Sequence, residues 1–392
     1  MLTTLILKTF VQGYSANMDL AARTRCGVVS GVVGIGCNIL IAVIKIVLAV
    51  ISGSIAVAAD AVNNLSDAGA GVITVAGFRM SAQPPDAEHP FGHGRTEYIA
   101  GLVVSLIIVG LGITFFKDSI VSLCRPSKIS ADTISICIFA ATMTVKCWLF
   151  FFYRKIGKLI DSEVIRASAI DSLSDCLSTG VVIISLVAAR YTDFPVDGIA
   201  GLIVAAMILF GGINVLKETV SKLVGEPPAP ELVAELKETI LSCPGIDGVH
   251  DVIIHNYGAN SYYVTAHAEI SSDGDLQTTH DILENTELEV RKKMPVHLVL
   301  HADPYSKDNP LVIYWRSRME NEVSMYDSEF KLYDFRLVES EDFKRVEFLS
   351  FHLLIPYNYK AQEDEIAYAL TERIRKYDSE MKLKIVFLKS FV

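Results

Sequence analysis

Long apolar runs dominate the first 224 residues of the chain, and shorter helical and alternating patterns follow them. A helix needs about 20 apolar residues to cross the hydrocarbon core of a bilayer. Six windows meet that length, near residues 27–51, 54–78, 98–117, 130–152, 165–189 and 197–216. The pattern predicts a bundle of six transmembrane helices.

The cluster of helix breakers "GEPPAP" at 225–230 ends the sixth window and marks a domain boundary. Beyond it, residues 231–243 have helical periodicity, and "HDVIIHNY" and "YYVTAHAEI" alternate as strands do. A helical segment from 278 to 293 and the strand "VHLVLHA" complete the order α-β-β-α-β. This order predicts a small α+β domain that resembles a ferredoxin-like module.

The last part of the chain repeats that order, which predicts a second, divergent copy of the module. Helical segments at 310–323 and 362–377 alternate with the strands "LYDFRLVE", "RVEFLSFHLLI" and "LKIVFLK". Asp251 and Asp334 fall at matching places in the two repeats. We therefore predict an N-terminal cytoplasmic segment, a six-helix transmembrane domain, a ferredoxin-like domain and a second module, over residues 1–25, 26–224, 225–306 and 307–392.

The composition agrees with a membrane domain followed by a soluble one. The chain is 51% hydrophobic, and its mean hydropathy is +0.39. Its net charge of −10 argues against nucleic acid as a partner. Seven scattered cysteines form no CxxC pair, so neither a disulfide framework nor a thiolate zinc site is expected.

Lysine and arginine near the ends of the spans predict the orientation in the membrane. We expect both termini in the cytoplasm and, since no basic segment with a cleavage site opens the chain, no cleaved signal peptide. Nine basic residues then lie inside and four outside: Lys8, Arg23, Arg25, Arg79, Arg95, Arg154, Lys155, Lys158 and Arg166 against Lys117, Arg125, Lys128 and Arg190.

Two of the predicted spans carry pairs of polar residues four positions apart. Asn63 and Asp67 form one pair, and Asp171 and Asp175 form the other. Residues at this spacing share one face of a helix, and carboxylates in hydrocarbon are so costly that they usually face a polar cavity. The alternative is hydrogen bonding between packed helices. Two such pairs in two spans favour a site for a divalent cation.

These motifs resemble those of the cation diffusion facilitator family, six-span transporters of divalent metals with a cytoplasmic ferredoxin-like domain. The resemblance rests on "SGSIAVAADAVNNLSD", on "PPDAEHPFGHGRTEYIAG" and on the Asp-x-x-x-Asp of the fifth span. It implies a homodimeric transporter rather than an enzyme, with Asn63, Asp67, Asp171 and Asp175 as ligands of the transported ion. Gly27 and Gly31 offer a small-xxx-small spacing that also fits close helix approach.

The ligand types bear on which metal is carried. Zinc-transporting members of the family typically have a histidine at the position of Asp171, so Asn63 with three aspartates resembles the manganese-type branch. Oxygen ligands suit hard cations such as manganese, magnesium or calcium, whereas imidazole suits zinc. We therefore expect Mn²⁺, with Zn²⁺, Fe²⁺ or Co²⁺ as alternatives.

Two further groups of residues are candidate metal sites. Asp86, His89 and His93 lie in the loop after the second span, where a bound metal competes with the alternative of a turn with solvated histidines. In the cytoplasmic module, four residues match positions that bind regulatory metal in zinc-transporting relatives: His250, His267, His301 and Asp303. The second module lacks this set, which favours a scaffold or interaction unit.

The predicted mechanism is efflux of Mn²⁺ from the cytoplasm by alternating access, with protons as the counter-ion. Asp67, Asp171 and Asp175 are the expected proton carriers, because carboxylates in an apolar cavity tend to protonate when a cation leaves. The expected location is a bacterial plasma membrane. An intramembrane aspartyl protease is a rival, but its Gly-x-Gly-Asp pattern is missing from the sequence. A membrane metal sensor that does not transport is the other rival.

Overall fold

The structure, a computed structural model, describes residues 2–11, 18–52, 55–124, 133–188, 196–259, 261–339 and 346–390. The chain divides into two compact units. The first is residues 1–226 with 257–259, and the second is residues 227–256 with 260–392.

The described part of the first unit is helical. A short helix, α1 (Leu2–Phe10), precedes six long helices that coincide with the six apolar windows: α2 (Leu20–Ser52), α3 (Ile55–Ser81), α4 (Thr96–Cys124), α5 (Thr133–Leu159), α6 (Glu163–Ala188) and α7 (Val196–Val224). Among the described residues, three segments are long and apolar enough to cross a membrane, namely Leu20–Val47, Thr96–Cys124 and Gly201–Val224. The other long helices, α3, α5 and α6, hold the polar residues considered below.

Close helix packing explains two of the glycines. The helices pack mainly as the pairs α2 with α3, α4 with α7 and α5 with α6. A Cβ atom at Gly27 would lie 2.4 Å from the ring of Phe78, and one at Gly31 would lie 2.6 Å from Val75. Both neighbours belong to α3 of the same chain. The small-residue spacing in α2 therefore serves packing within the bundle.

Buried ion pairs fix one end of the bundle. Arg23 of α2 donates to both carboxylate oxygens of Glu97 on α4, at 2.6 and 3.0 Å, and to the backbone oxygen of Ile160 at 2.9 Å. Lys222 of α7 lies 3.1 Å from Glu163 at the start of α6. Glu97 and Glu163 are each 1% exposed. Because a buried charge is costly without its partner, these pairs hold four helices in a defined register.

In the second unit, a first module consists of α8 (Pro230–Leu241), β1 (Gly248–Asn256), β2 (Tyr262–Ser271), α9 (Leu276–Lys293) and β3 (Val296–Tyr305). The sheet has the order β1-β2-β3, with β1 antiparallel to β2 and β2 parallel to β3. Leu236, Ile240, Val264, Ala266 and Val290 are buried in its core. The predicted order α-β-β-α-β is confirmed.

A second module has the same order and the same strand pairing: α10 (Pro310–Tyr326), β4 (Lys331–Glu339), β5 (Val346–Pro356), α11 (Glu363–Ile374) and β6 (Lys382–Ser390). Both sheets have an irregular register after the first few residues of the first strand, and an aspartate lies there in the left-handed region. Asp251 has φ of 48° and Asp334 has φ of 46°. Non-glycine residues rarely adopt this conformation, so the two modules share an uncommon local backbone.

Candidate metal sites

The polar pairs of α3 and α6 meet inside the helix bundle. Asp67, Asp171 and Asp175 each place a carboxylate oxygen within 4.8 Å of the others. Asp67 is 6% exposed, and the other two are partly buried. The faces that carry these residues on α3 and α6 therefore meet, and carboxylates from the two helices come together at one point.

Asn63 lies at the same place as two of these carboxylates. It lines a cavity of about 170 Å³ together with Asp171 and Asp175. Helix α4 contributes Thr114 and Asp118 to the lining. Sequence reasoning missed Asp118, although a carboxylate next to an apolar window, in "FFKDS", is the same kind of signal that identified the other aspartates.

A lysine on α5 also belongs to this site, and sequence reasoning missed it. The Nζ of Lys146 donates hydrogen bonds to Asp67 Oδ2 at 2.7 Å and to Asp175 Oδ2 at 2.5 Å. The side chain of Lys146 is 6% exposed. Its signal was a lone charge in the fourth apolar window, at "TMTVKCWLF". We call Asp67, Asp171, Asp175 and Lys146 the helical cluster.

The loop residues Asp86, His89 and His93 also come together. His93 Nε2 lies 3.3 Å from Asp86 Oδ2, and His89 Nδ1 lies 3.6 Å from Asp86 Oδ1. Asp86 already accepts hydrogen bonds from the backbone N–H groups of Glu88 and His89, and the bond from His89 is the main reason that its pKa is lowered. The carboxylate therefore stabilises the turn of this exposed loop whether or not it binds a cation.

In the first module, strand pairing brings together three of the four predicted residues. His250 of β1 pairs with His267 of β2, and Asp303 of β3 reaches both. Asp303 Oδ2 lies 3.0 Å from His250 Nε2 and 2.9 Å from His267 Nδ1. We call these three residues the strand cluster. His301 is the exception: it is exposed, and its Nε2 is 3.7 Å from the other oxygen of Asp303.

The strand cluster fits a metal ligand set. Burial raises the pKa of Asp303, but the His250 and His267 imidazoles beside it lower that pKa by more, and the result is about 2. The carboxylate is thus ionised at neutral pH. Both ring nitrogens of His250 are buried without an aligned hydrogen-bond partner. A buried nitrogen without such a partner is costly, and a cation between His250, His267 and Asp303 would satisfy it.

Comparison with known proteins finds one domain of cation efflux proteins in each of the two units. The cation efflux transmembrane domain matches residues 31–224, and the cytoplasmic domain of cation efflux proteins matches residues 228–305. The second module lies beyond both matches.

Several relatives are similar over most of their own length. An uncharacterized transporter of Methanocaldococcus jannaschii is 28% identical over 245 residues, which are 62% of this chain and 86% of the relative. The cation-efflux pump FieF of Citrobacter koseri is 27% identical over 268 residues, or 68% and 89%. FieF of Salmonella arizonae is 27% identical over 256 residues, or 65% and 85%. Because the helical domain and the first module match the two family domains in order, the chain belongs to the cation diffusion facilitator family of divalent-cation efflux transporters, which are not enzymes.

Proposed function

We propose that the protein exports Mn²⁺ from the cytoplasm through a site formed by Asn63, Asp67, Asp171 and Asp175. The observation that carries this proposal is the convergence of three carboxylates from two helices within 4.8 Å, beside a cavity that Asn63 lines. Carboxylate and amide oxygens suit hard divalent cations better than zinc. The FieF relatives are cation-efflux pumps by name, which supports the direction of transport.

The proposed setting is a bacterial inner membrane, crossed by α2 to α7, with both termini in the cytoplasm. The excess of basic residues on the predicted inner side supports that orientation. The cation would load from the cytoplasm and leave on the other side as the helices that carry the ligands rock against their neighbours. Asp118, on the wall of the same cavity, is an additional carboxylate that a cation could contact on its way.

Protons are the proposed counter-ion. When a cation leaves three clustered carboxylates, their mutual repulsion favours proton uptake. Asp67, Asp171 and Asp175 are the candidate carriers. A proteoliposome assay measures this directly: Mn²⁺ flux should rise with an opposing pH gradient, and flux that ignores the gradient would contradict the exchange.

We further propose that the second unit is a tandem pair of ferredoxin-like modules that regulates the transporter, and that the protein is a homodimer. Matching strand order, matching pairing and the shared conformation at Asp251 and Asp334 support the duplication. The strand cluster is the proposed regulatory metal site, with His301 as an outer contact. Asp86, His89 and His93 form a weaker candidate, because the loop uses Asp86 for its own turn.

Metal flux into liposomes tests the main proposal. The purified protein should carry Mn²⁺ in preference to Zn²⁺, Fe²⁺ and Co²⁺, and Asp175→Ala should abolish the flux. Asp171→His should raise the ratio of zinc to manganese flux about tenfold, because imidazole favours zinc. Glu284→Gln, an exposed change on α9, is the matched control. Metal binding without any flux by the unaltered protein would instead support a membrane metal sensor.

A further inference from the structure

Helix α5 places a positive charge inside the proposed transport site. The ammonium of Lys146 lies between one oxygen of Asp67 and one oxygen of Asp175, and the three side chains are 6%, 4% and 18% exposed. The contact joins α5 to α3 and α6 at the point where the ligand pairs converge. A buried charge is costly unless it is paired, so Lys146 depends on its two carboxylate partners to remain charged inside the bundle.

The positions of these atoms put Lys146 in competition with a metal ion. A divalent metal bound by carboxylates sits about 2 Å from each oxygen, whereas the ammonium nitrogen sits 2.7 and 2.5 Å from the same two oxygens. The two cations therefore need the same space. Both cations are also attracted by the same negative charge. The three carboxylates carry three negative charges when ionised, and the ammonium neutralises one of them.

We propose that Lys146 is a tethered competitor of the transported cation, which a metal ion displaces from Asp67 and Asp175 on binding and which takes that place again as the metal leaves. This inference rests on the proposed function, since it concerns the same site. Competition weakens metal binding and so favours release on the far side. The returning ammonium also neutralises part of the carboxylate charge while the empty transporter returns to the state that opens to the cytoplasm. A site with oxygen ligands and no lysine would have to neutralise that charge in another way.

The competition predicts opposite changes in affinity and in transport rate. In Lys146→Met, the dissociation constant for Mn²⁺ should fall by about tenfold or more. An ammonium next to a carboxylate shifts the binding of another cation to that carboxylate by at least that factor. The maximal flux in proteoliposomes should fall by a similar factor, because release is slower. Lys146→Gln keeps N–H donors for the carboxylates without the charge. It should lower the dissociation constant and the maximal flux, as Lys146→Met does. Lys146→Arg keeps the charge and should stay near the unaltered protein.

Lys158→Met is the matched control, because Lys158 is an exposed lysine near the end of the same helix. A purely structural role for Lys146 would weaken binding and slow flux together. Unchanged or weaker Mn²⁺ binding in both the Met and Gln variants would overturn the inference. Failure of the proposed function is a separate result, since it would appear as absent flux in the unaltered protein or as unchanged flux in Asp175→Ala.

The second unit carries an independent inference about assembly. His250 of the first module stacks on Tyr333 of the second, with ring centroids 4.7 Å apart and an interplanar angle of 11°. These residues occupy matching positions, because each precedes the left-handed aspartate and each pairs with a histidine, His267 or His352. Contact between matching residues is the arrangement found at the two-fold axis of a symmetric dimer.

Polar contacts extend this interface. Arg316 Nη2 lies 3.3 Å from Glu269 Oε2, and the backbone N–H of Asp334 donates to Glu269 Oε1 at 3.4 Å. Arg336 lies 3.8 Å from Asp303 of the strand cluster. We infer that the second module acts in cis as a built-in dimer partner, which covers the His250 face of the first module, so that the proposed homodimer pairs through other surfaces of the chain.

Cysteine cross-linking in the full-length protein tests the interface. His250→Cys with Tyr333→Cys, treated with a short bismaleimide, should give a link within one chain, identified by mass spectrometry of the joined peptides. Tyr333→Cys alone is the control, because it can join position 333 only to another copy or to a native cysteine. A His250–Tyr333 link between two chains, or none in the double variant, would overturn the inference.

Discussion

The helical cluster holds three carboxylates around one lysine, whereas the strand cluster holds one carboxylate between two histidines. The first keeps excess negative charge, which attracts any cation, and offers only oxygen to a metal. The second places its single carboxylate between two imidazoles and offers mostly nitrogen. Hard cations prefer oxygen, and zinc accepts imidazole readily. The comparison teaches that one chain can offer two different donor sets, which supports the proposed division into a site for passage and a site for sensing.

The sharpest test of this division is the same substitution made in each cluster. Asp175→Asn should lower Mn²⁺ flux by about 100-fold or more, since loss of a direct ligand should exceed the 10–100-fold effect of an outer partner. Asp303→Asn should lower it by less than about tenfold. Flux of Mn²⁺ into proteoliposomes, with protein amount matched, measures both. Equal losses in the two variants would break the comparison, because the strand cluster would then be required for passage itself.

A smaller effect is expected from His250→Ala. This change removes a buried imidazole from the strand cluster and its stacking on Tyr333, so Zn²⁺ binding to that cluster should weaken by about 10- to 100-fold. Isothermal titration in an Asp175→Asn background isolates this site from the helical cluster. Unaltered zinc affinity, with the variant folded by circular dichroism, would mean that the strand cluster holds no metal.

The smallest effect is expected from His301→Ala. His301 is exposed and stands 3.7 Å from the oxygen of Asp303 that the other histidines do not use. The zinc affinity should change by less than about threefold, because weakly held, solvated contacts contribute little. The same titration measures it, with His297→Ala as an exposed control on the same strand. A loss of zinc affinity as large as that expected for His250→Ala would mean that His301 is a metal ligand.

The sequence was most informative where one helix or strand decides the outcome. Helical period places Asn63 with Asp67, and Asp171 with Asp175, on single faces, and the cost of buried carboxylates implies that those faces meet. Lys146 could not be placed in the same way. It is 79 residues from Asp67 and 29 from Asp175, and only the packing of α5 against α6 and near α3 decides that its ammonium reaches both.

The strand cluster shows the same limit. Strand alternation puts His301 and Asp303 on one face of the sheet, and the sequence therefore treats them alike. In the structure, His301 is exposed and Asp303 is 3% exposed. The difference arises because His250 and Arg336 lie against Asp303 from β1 and from the second module. By itself the sequence determined the helices, the strands and the residue pairs. Only the tertiary structure decided which charges share a buried site, because burial depends on neighbours that are distant in the chain.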